Sequence, residues 1–123
     1  FGAAKNLCNF AVEGSQCEIN LEVKNFAKKI HTQGKPLGFI CIAPVMIPKI
    51  LGEKIKLTIG NDQETANAVV AMGGCHIECN VDNFVVDEQR KVVSTPAFML
   101  AANMLEAEKG INKLVKEVIR LVT

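Results

Sequence analysis

Leu37-Gly38-Phe39-Ile40-Cys41-Ile42 is a short, unbroken apolar run that sets a thiol three residues ahead of Pro44. Runs of this kind belong to strands buried on both faces of a parallel sheet. Pro44 suits the first turn of a new helix, where its missing N–H costs nothing, and Val45 to Leu51 continue that helix despite Pro48. In open parallel sheets the ligand crevice lies outside the carboxyl ends of the strands, so Cys41 is expected at the rim. It would stand just before a helix start, where unpaired N–H groups and the helix dipole stabilise a thiolate. The same turn would aim the N–H of Ile42 or Ala43 at a developing oxyanion, as in a nucleophile elbow. Position alone leaves a second reading open, in which Cys41 is a small hydrophobe filling a buried strand.

Cys75-His76-Ile77-Glu78-Cys79 also holds ligating residue types. On a strand, however, the two thiols share one face while His76 and Glu78 share the other. A tetrahedral site needs about four convergent ligands, so no metal is expected. His76 reads as a polar surface residue near the cleft. His31 falls at the end of a predicted helix, where an imidazole suits the dipole. Cys8 and Cys17 lie in an early loop region without a partner histidine and read as structural or exposed thiols. Asn61, Asp62 and Glu64 follow a strand end and could face the crevice, although helix capping accounts for them more simply.

Positioning these groups requires a frame, which the periodicity supplies. Asn20 to Gln33 has the spacing of an amphipathic helix capped by Asn20 and ended by Gly34-Lys35-Pro36. Lys54 to Ile59 alternates as a half-exposed strand, and Asn61 or Asp62 caps a helix through Glu64 to Met72, closed by Gly73-Gly74. Cys75 to Val81 and Phe84 to Val86 are strand candidates. Asp87 to Arg90 reads as a polar turn and Lys91 to Thr95 as the returning strand of a hairpin. Met99 to Val122 gives a terminal amphipathic helix, with Gly110 as its weak point. The order predicts an α/β layered fold with a mostly parallel sheet and one added hairpin.

The chain has 123 residues, 49% of them hydrophobic, which fits one packed domain. Its net charge is +1, with 14 basic and 13 acidic residues interspersed, so no field gathers nucleic acid or anionic lipid. No apolar run approaches the roughly 20 residues that span a bilayer, and a cytoplasmic location is expected. Five cysteines, an odd number, are read as reduced thiols.

Four blocks carry a family resemblance: Phe1-Gly2-Ala3-Ala4-Lys5-Asn6-Leu7, Lys35 to Pro44, Thr58-Ile59-Gly60-Asn61-Asp62, and Val93-Ser94-Thr95-Pro96-Ala97-Phe98-Met99. Together, spanning essentially the whole chain, they resemble the ElbB-type family of isoprenoid-biosynthesis proteins with an amidotransferase-like domain. That family is similar to the wider PfpI and class I glutamine amidotransferase superfamily. The resemblance implies a flavodoxin-like three-layer α/β sandwich with Cys41 as the nucleophile on its elbow. It also implies that residues 1–123 form the C-terminal part of a single domain. A further half-domain would precede Phe1, supplying a Gly-Gly pair and an acidic neighbour for the cysteine. Gly2, beside the family's oxyanion loop, is then a second backbone donor next to Ile42, with Ala43, Asn61, Thr95 and Pro96 as pocket residues.

Two departures narrow the chemistry. The stretch after the late strand, Ser94 to Phe98, lacks the histidine and glutamate of class I glutaminases, and Ile42 stands where PfpI-type peptidases carry a histidine. Some ElbB-type proteins are cofactor-independent glyoxalases, so the resemblance implies glyoxal conversion to glycolate through Cys41, without cofactor or metal. A small reactive aldehyde would be the substrate. Homodimerisation is suggested by superfamily analogy. The rival expectation is a non-catalytic, redox-sensing or partner-binding protein linked to isoprenoid biosynthesis.

Overall fold

The computed structural model describes residues 1–122 of the chain. Five strands and five α-helices follow one another, joined by short 3₁₀ and π-helical turns. The strands are β1 (Leu37–Ile40), β2 (Lys56–Leu57), β3 (Cys75–His76), β4 (Val85–Asp87) and β5 (Val92–Thr95). The helices are α1 (Phe10–Glu13), α2 (Leu21–Thr32), α3 (Ile47–Leu51), α4 (Gln63–Ala71) and α5 (Met104–Val122).

β1 and β5 pair in parallel with Ile40 opposite Thr95, and β4 returns antiparallel on β5, giving the order β1-β5-β4. β2 and β3 form a separate parallel pair. Side chains tie that pair to the hairpin: the Lys56 N–H donates to Asp87 Oδ2 (3.0 Å) and the Thr58 N–H to Ser94 Oγ (2.9 Å). Asp87 is only 3% exposed, and it also accepts from the Arg90 N–H and pairs with the Arg90 guanidinium. One buried carboxylate thus closes the hairpin turn and anchors the neighbouring strand.

Every residue of β5 is buried, because layers cover both faces of the sheet. Val92 packs into one cluster with Phe39, Val45, Ile47 and Leu57, while Val93, its neighbour, faces Leu114 and Leu121 of α5. This alternation yields the helix-sheet-helix layering expected of an α/β sandwich. On α5 the buried positions Ala107, Gly110, Leu114 and Leu121 recur at helical spacing.

Several boundaries differ from the sequence expectation. α5 begins at Met104 rather than Met99, because Ala97–Met99 form a separate 3₁₀ turn. The expected strand from Cys75 to Val81 shortens to Cys75–His76, and that from Lys54 to Ile59 to Lys56–Leu57. The early segment is not a loop. Ala3–Leu7 form a π-helical turn, followed by α1 and a 3₁₀ turn at Gly14–Gln16. Cys8 and Cys17 are both buried there, so the option of exposed thiols is removed. On α2, Ala27 alone is fully buried, whereas Leu21 and Phe26 are exposed despite their apolar spacing. The cap of α4 is Asp62, whose carboxylate accepts from the Thr65 N–H (3.0 Å) and hydroxyl.

Candidate functional site

Cys41 is the first residue after β1, and its φ is +67°. Left-handed backbone at a residue with a Cβ costs on the order of 1–3 kcal/mol and persists only where the surroundings enforce it. Here the Cys41 N–H donates to the Thr95 carbonyl (3.0 Å), which extends the β1–β5 ladder by one bond and fixes the turn. The chain then enters a 3₁₀ turn at Ala43–Met46 and passes into α3 at Ile47. The expected single helix is therefore two consecutive helical pieces. Pro44 and Pro48 each fall in a first turn, where a missing N–H is tolerated.

The thiol of Cys41 is half-buried, and among the described residues no side chain hydrogen-bonds it. Strand, strained residue and helical turn follow in the order of a nucleophile elbow. A second strained residue lies alongside: Ala97, two residues beyond the end of β5, has φ +45° and is fully buried. Both neighbouring parallel strands thus end in a left-handed turn at the same edge of the sheet. Nothing in the residue type of Ala97 signals this, and the proline before it is the only local hint of a turn.

The other expected site residues fall as follows. Ile42 is buried and precedes the 3₁₀ turn, and Ala43, half-buried, opens it. Thr95 is buried in the ladder beside Ile40, and its hydroxyl donates to the Asn83 carbonyl (2.7 Å). A Cβ on Gly60 would lie 3.3 Å from Pro96, so the turn leading to Asn61 abuts the turn after β5. Ile42, Thr95, Pro96 and Asn61 therefore gather at the carboxyl ends of β1, β2 and β5, with Asn61 exposed and the first three buried. Gly2 is exposed in ordinary right-handed helical geometry, and a Cβ there would meet only Asn6 Nδ2, at 3.6 Å. No contact within the described residues requires glycine at that position.

A cavity of about 460 Å³ opens at this edge, lined by Phe1, Phe10, Ile42, Glu64 and Met99 among others. Its wall is mostly apolar, and Glu64, in the first turn of α4, is the one ionisable side chain on it. Sequence reading assigned Glu64 to capping. Asp62 does the capping, and the exposed Glu64 lines the cavity together with Ile42, whereas Cys41 and the expected pocket residues Ala43, Asn61, Thr95 and Pro96 are not among its lining residues.

The remaining thiols and imidazoles lie away from this cavity. Burial, and then the neighbouring Cys8, push the Cys17 thiol up from its ordinary range, and its sulfur contacts Met72 Sδ. Burial, and then Asp82, likewise raise Cys79, whose thiol donates to the Asn80 carbonyl. Cys75 is exposed. His76 is not a plain surface residue: it is half-buried, and its Nε2 accepts the Ile59 N–H (3.3 Å). Burial lowers its pKa, opposed by Glu78. His31 lies half-buried in the last turn of α2, as its position in the sequence led one to expect. Among the described residues no three His, Cys, Asp or Glu side chains converge as a metal site. No helix among them is long and apolar enough to cross a membrane.

No protein-family model matches the chain. It is 42% identical over 130 residues to the rat ES1 protein homolog, mitochondrial (Rattus norvegicus), with 98% of the chain matched. The same identity and coverage relate it to the human glutamine amidotransferase-like class 1 domain-containing protein 3, mitochondrial (Homo sapiens). The chain spans about half the length of both relatives, 48% in each case. A solved structure, an isoprenoid biosynthesis protein with amidotransferase-like domain from Ehrlichia chaffeensis, superposes with a TM-score of 0.87 at 27% identity. That likeness covers 99% of this chain and 55% of the other. The chain has the amidotransferase-like, flavodoxin-like fold, and these likenesses support its place in the class I glutamine amidotransferase-like superfamily.

Proposed function

We propose that the chain carries the nucleophile of an ElbB-type, cofactor-independent glyoxalase that converts glyoxal to glycolate. The single observation that supports this reading most is the φ of +67° at Cys41, a strained turn that sets a thiol without a hydrogen bond among the described residues at the carboxyl end of the parallel β1–β5 pair. Glutamine hydrolysis is the weaker reading, because a histidine to activate the thiol is missing both after Cys41 and along Ser94 to Phe98.

In the proposed reaction the Cys41 sulfur adds to one aldehyde carbon, and the thiol proton ends on the carbonyl oxygen as a hemithioacetal. A base then removes the proton from that carbon while the second carbonyl takes up the electron pair. Reprotonation at the second carbon leaves a thioester of glycolate. The first carbon is oxidised and the second reduced, so no outside oxidant enters. Water cleaves the thioester, releasing glycolate and restoring the thiol. In this proposal the N–H groups of Ile42 and Ala43 serve as donors for the oxyanion, and the proton transfer is assigned to Glu64, which lines the cavity that Ile42 also lines.

Glyoxal consumption and glycolate formation by the purified protein test the proposal. Turnover is expected to vanish in Cys41→Ala and to fall at least tenfold in Glu64→Gln. A thiol that forms sulfenic acid with peroxide while glyoxal goes unconsumed would replace this reading with a redox sensor. For location we propose a reducing compartment, in keeping with five free thiols. Imaging of a tagged chain would show whether it is the cytosol or, as the relatives' names suggest, the mitochondrion.

A further inference from the structure

Two further hollows, of about 460 Å³ and about 220 Å³, adjoin each other, because Asn61 and Glu78 line both. Neither shares a residue with the cavity that Ile42 and Glu64 line. Every wall comes from the stretch between Asn61 and Val85, so the groove they form is built by this chain alone. On the smaller hollow α4 presents Gln63, Ala66, Asn67 and Val70, whose spacing of i, i+3, i+4 and i+7 puts them on one helix face. Beyond β3 the chain leaves strand pairing, and Ile77 to Asn80 turn along the larger hollow. The Ile77 N–H donates to the Leu57 carbonyl (2.9 Å) and the Cys79 N–H to that of Gly60 (3.4 Å), which ties this wall to the end of β2. Phe84 and Val85, where β4 begins, complete it. The larger hollow falls within the roughly 300–1,000 Å³ of small-molecule sites.

Bonds within the protein fix the polar groups of these walls and leave a definite remainder. Asn67 Oδ1 accepts from Gln63 Nε2 (2.8 Å) and Asn83 Oδ1 from the Phe84 N–H (2.9 Å), so each carboxamide keeps its Nδ2 as a donor. His76 Nε2 accepts the Ile59 N–H, so its neutral ring carries the proton on Nδ1, a third donor. The exposed Glu78 carboxylate makes no hydrogen bond among the described residues and supplies acceptors at the junction of the two hollows. Among the described residues no lysine or arginine lines either hollow, although the chain has 14 of them, so an anionic ligand would find no counter-charge. Apolar surface is interleaved with these groups: Val70 is 59% and Ile77 38% exposed, and Phe84 adds half of an aromatic ring. Donors, acceptors and apolar patches without a cation match a molecule whose hydroxyls both donate and accept and whose C–H face is apolar.

We infer that this groove is a binding site for a neutral disaccharide, with one sugar ring in each hollow and the linkage passing Glu78. In the larger hollow a ring lays its C–H face on Phe84 and Ile77 and presents hydroxyls to Asn83 and Glu78. In the smaller one the second ring meets Asn67 and His76. The site is separate from Cys41 and requires no reaction there, so it stands apart from the glyoxalase reading.

Methyl maltoside, methyl cellobioside and trehalose are the probes, because none has a free aldehyde that could engage Cys41. Titrated into isotope-labelled protein and followed by nuclear magnetic resonance, at least one is expected to shift the side-chain NH₂ signals of Asn67 and Asn83 to saturation. Asn67→Asp and Asn83→Asp keep the Oδ1 that accepts within the protein and remove the NH₂, while Glu78→Gln removes the charge and one acceptor oxygen. All three positions are exposed, so each variant is expected to weaken binding at least tenfold with the melting temperature unchanged. The assignment is overturned if none of the probes gives saturable shifts, or if the three variants bind as the parent does. Tighter binding of glucose-1-phosphate or of spermidine to the same signals would also overturn it, because the groove would then select for charge.

Discussion

Replacing Gly110 by alanine sets two effects of opposite sign against each other at one position in α5. Alanine is the better helix former, by about 0.8–1 kcal/mol. Against this, a Cβ at Gly110 would lie 2.4 Å from the Val81 carbonyl oxygen and 2.7 Å from Thr95 Oγ1. The first contact is with backbone and cannot be relieved by a rotamer change. Overpacking of this kind costs about 1–3 kcal/mol. Displacing Thr95 Oγ1 also weakens its bond to the Asn83 carbonyl, a hydrogen bond that contributes about 1 kcal/mol. The net loss is about 1–3 kcal/mol, which for a domain of this size lowers the melting temperature by roughly 5–10 °C. Thr95 also holds the Cys41 N–H, so the turn carrying the thiol should loosen in the same variant. Thermal melts by circular dichroism measure the first effect and hydrogen exchange at the Cys41 amide the second. A Gly110→Ala protein as stable as the parent, or more so, would refute the close approach of α5 to the Thr95 strand and leave helix propensity in control.

Three further outcomes follow from the same contacts. Cys41→Gly should be more stable than Cys41→Ala by about 1 kcal/mol in denaturant titration, because glycine relieves the left-handed strain that alanine retains. Asp87→Ala should cost about 2–3 kcal/mol, since the partly buried N–H groups of Lys56 and Arg90 lose a charged acceptor, and urea melts would register it. Burial holds His76 below its ordinary value near 6.5, so the unfolded chain binds the extra proton first. Stability should then be complete above about pH 7 and fall as pH drops through about 6.5 toward the folded value. His76→Gln, which keeps an acceptor for the Ile59 N–H, should flatten that slope in urea midpoints taken between pH 5 and 7.5.

Elements whose signals are local were readable in the sequence. Asn20 caps α2 through a bond to Val23 that residue type and spacing announce, and Leu37 to Ile40 form a strand because the run is continuously apolar. The placement of Cys41 at a strand end followed from Pro44, three residues on. What stayed hidden depends on tertiary contact. The early segment folds into turns around buried Cys8 and Cys17, which no periodicity marks. Gly110 reads as a helix weakness, and only the approach of Val81 and Thr95 gives it a reason. His76 reads as a surface residue because its acceptor role depends on Ile59, 17 residues away in the chain. The left-handed turn at Ala97 and the cavity position of Glu64 depend on how strands from distant segments end together.

Competitive thiol labelling weighs Cys41 against the other four cysteines directly. With iodoacetamide limiting at neutral pH and peptides quantified by mass spectrometry, access alone would favour Cys75, which is exposed where Cys41 is half-buried. If the strained turn makes Cys41 the nucleophile, it is carboxamidomethylated first, and a stoichiometric amount of glyoxal protects it while leaving Cys75 reactive. Modification of Cys75 ahead of Cys41, with glyoxal protecting neither, would contradict the account.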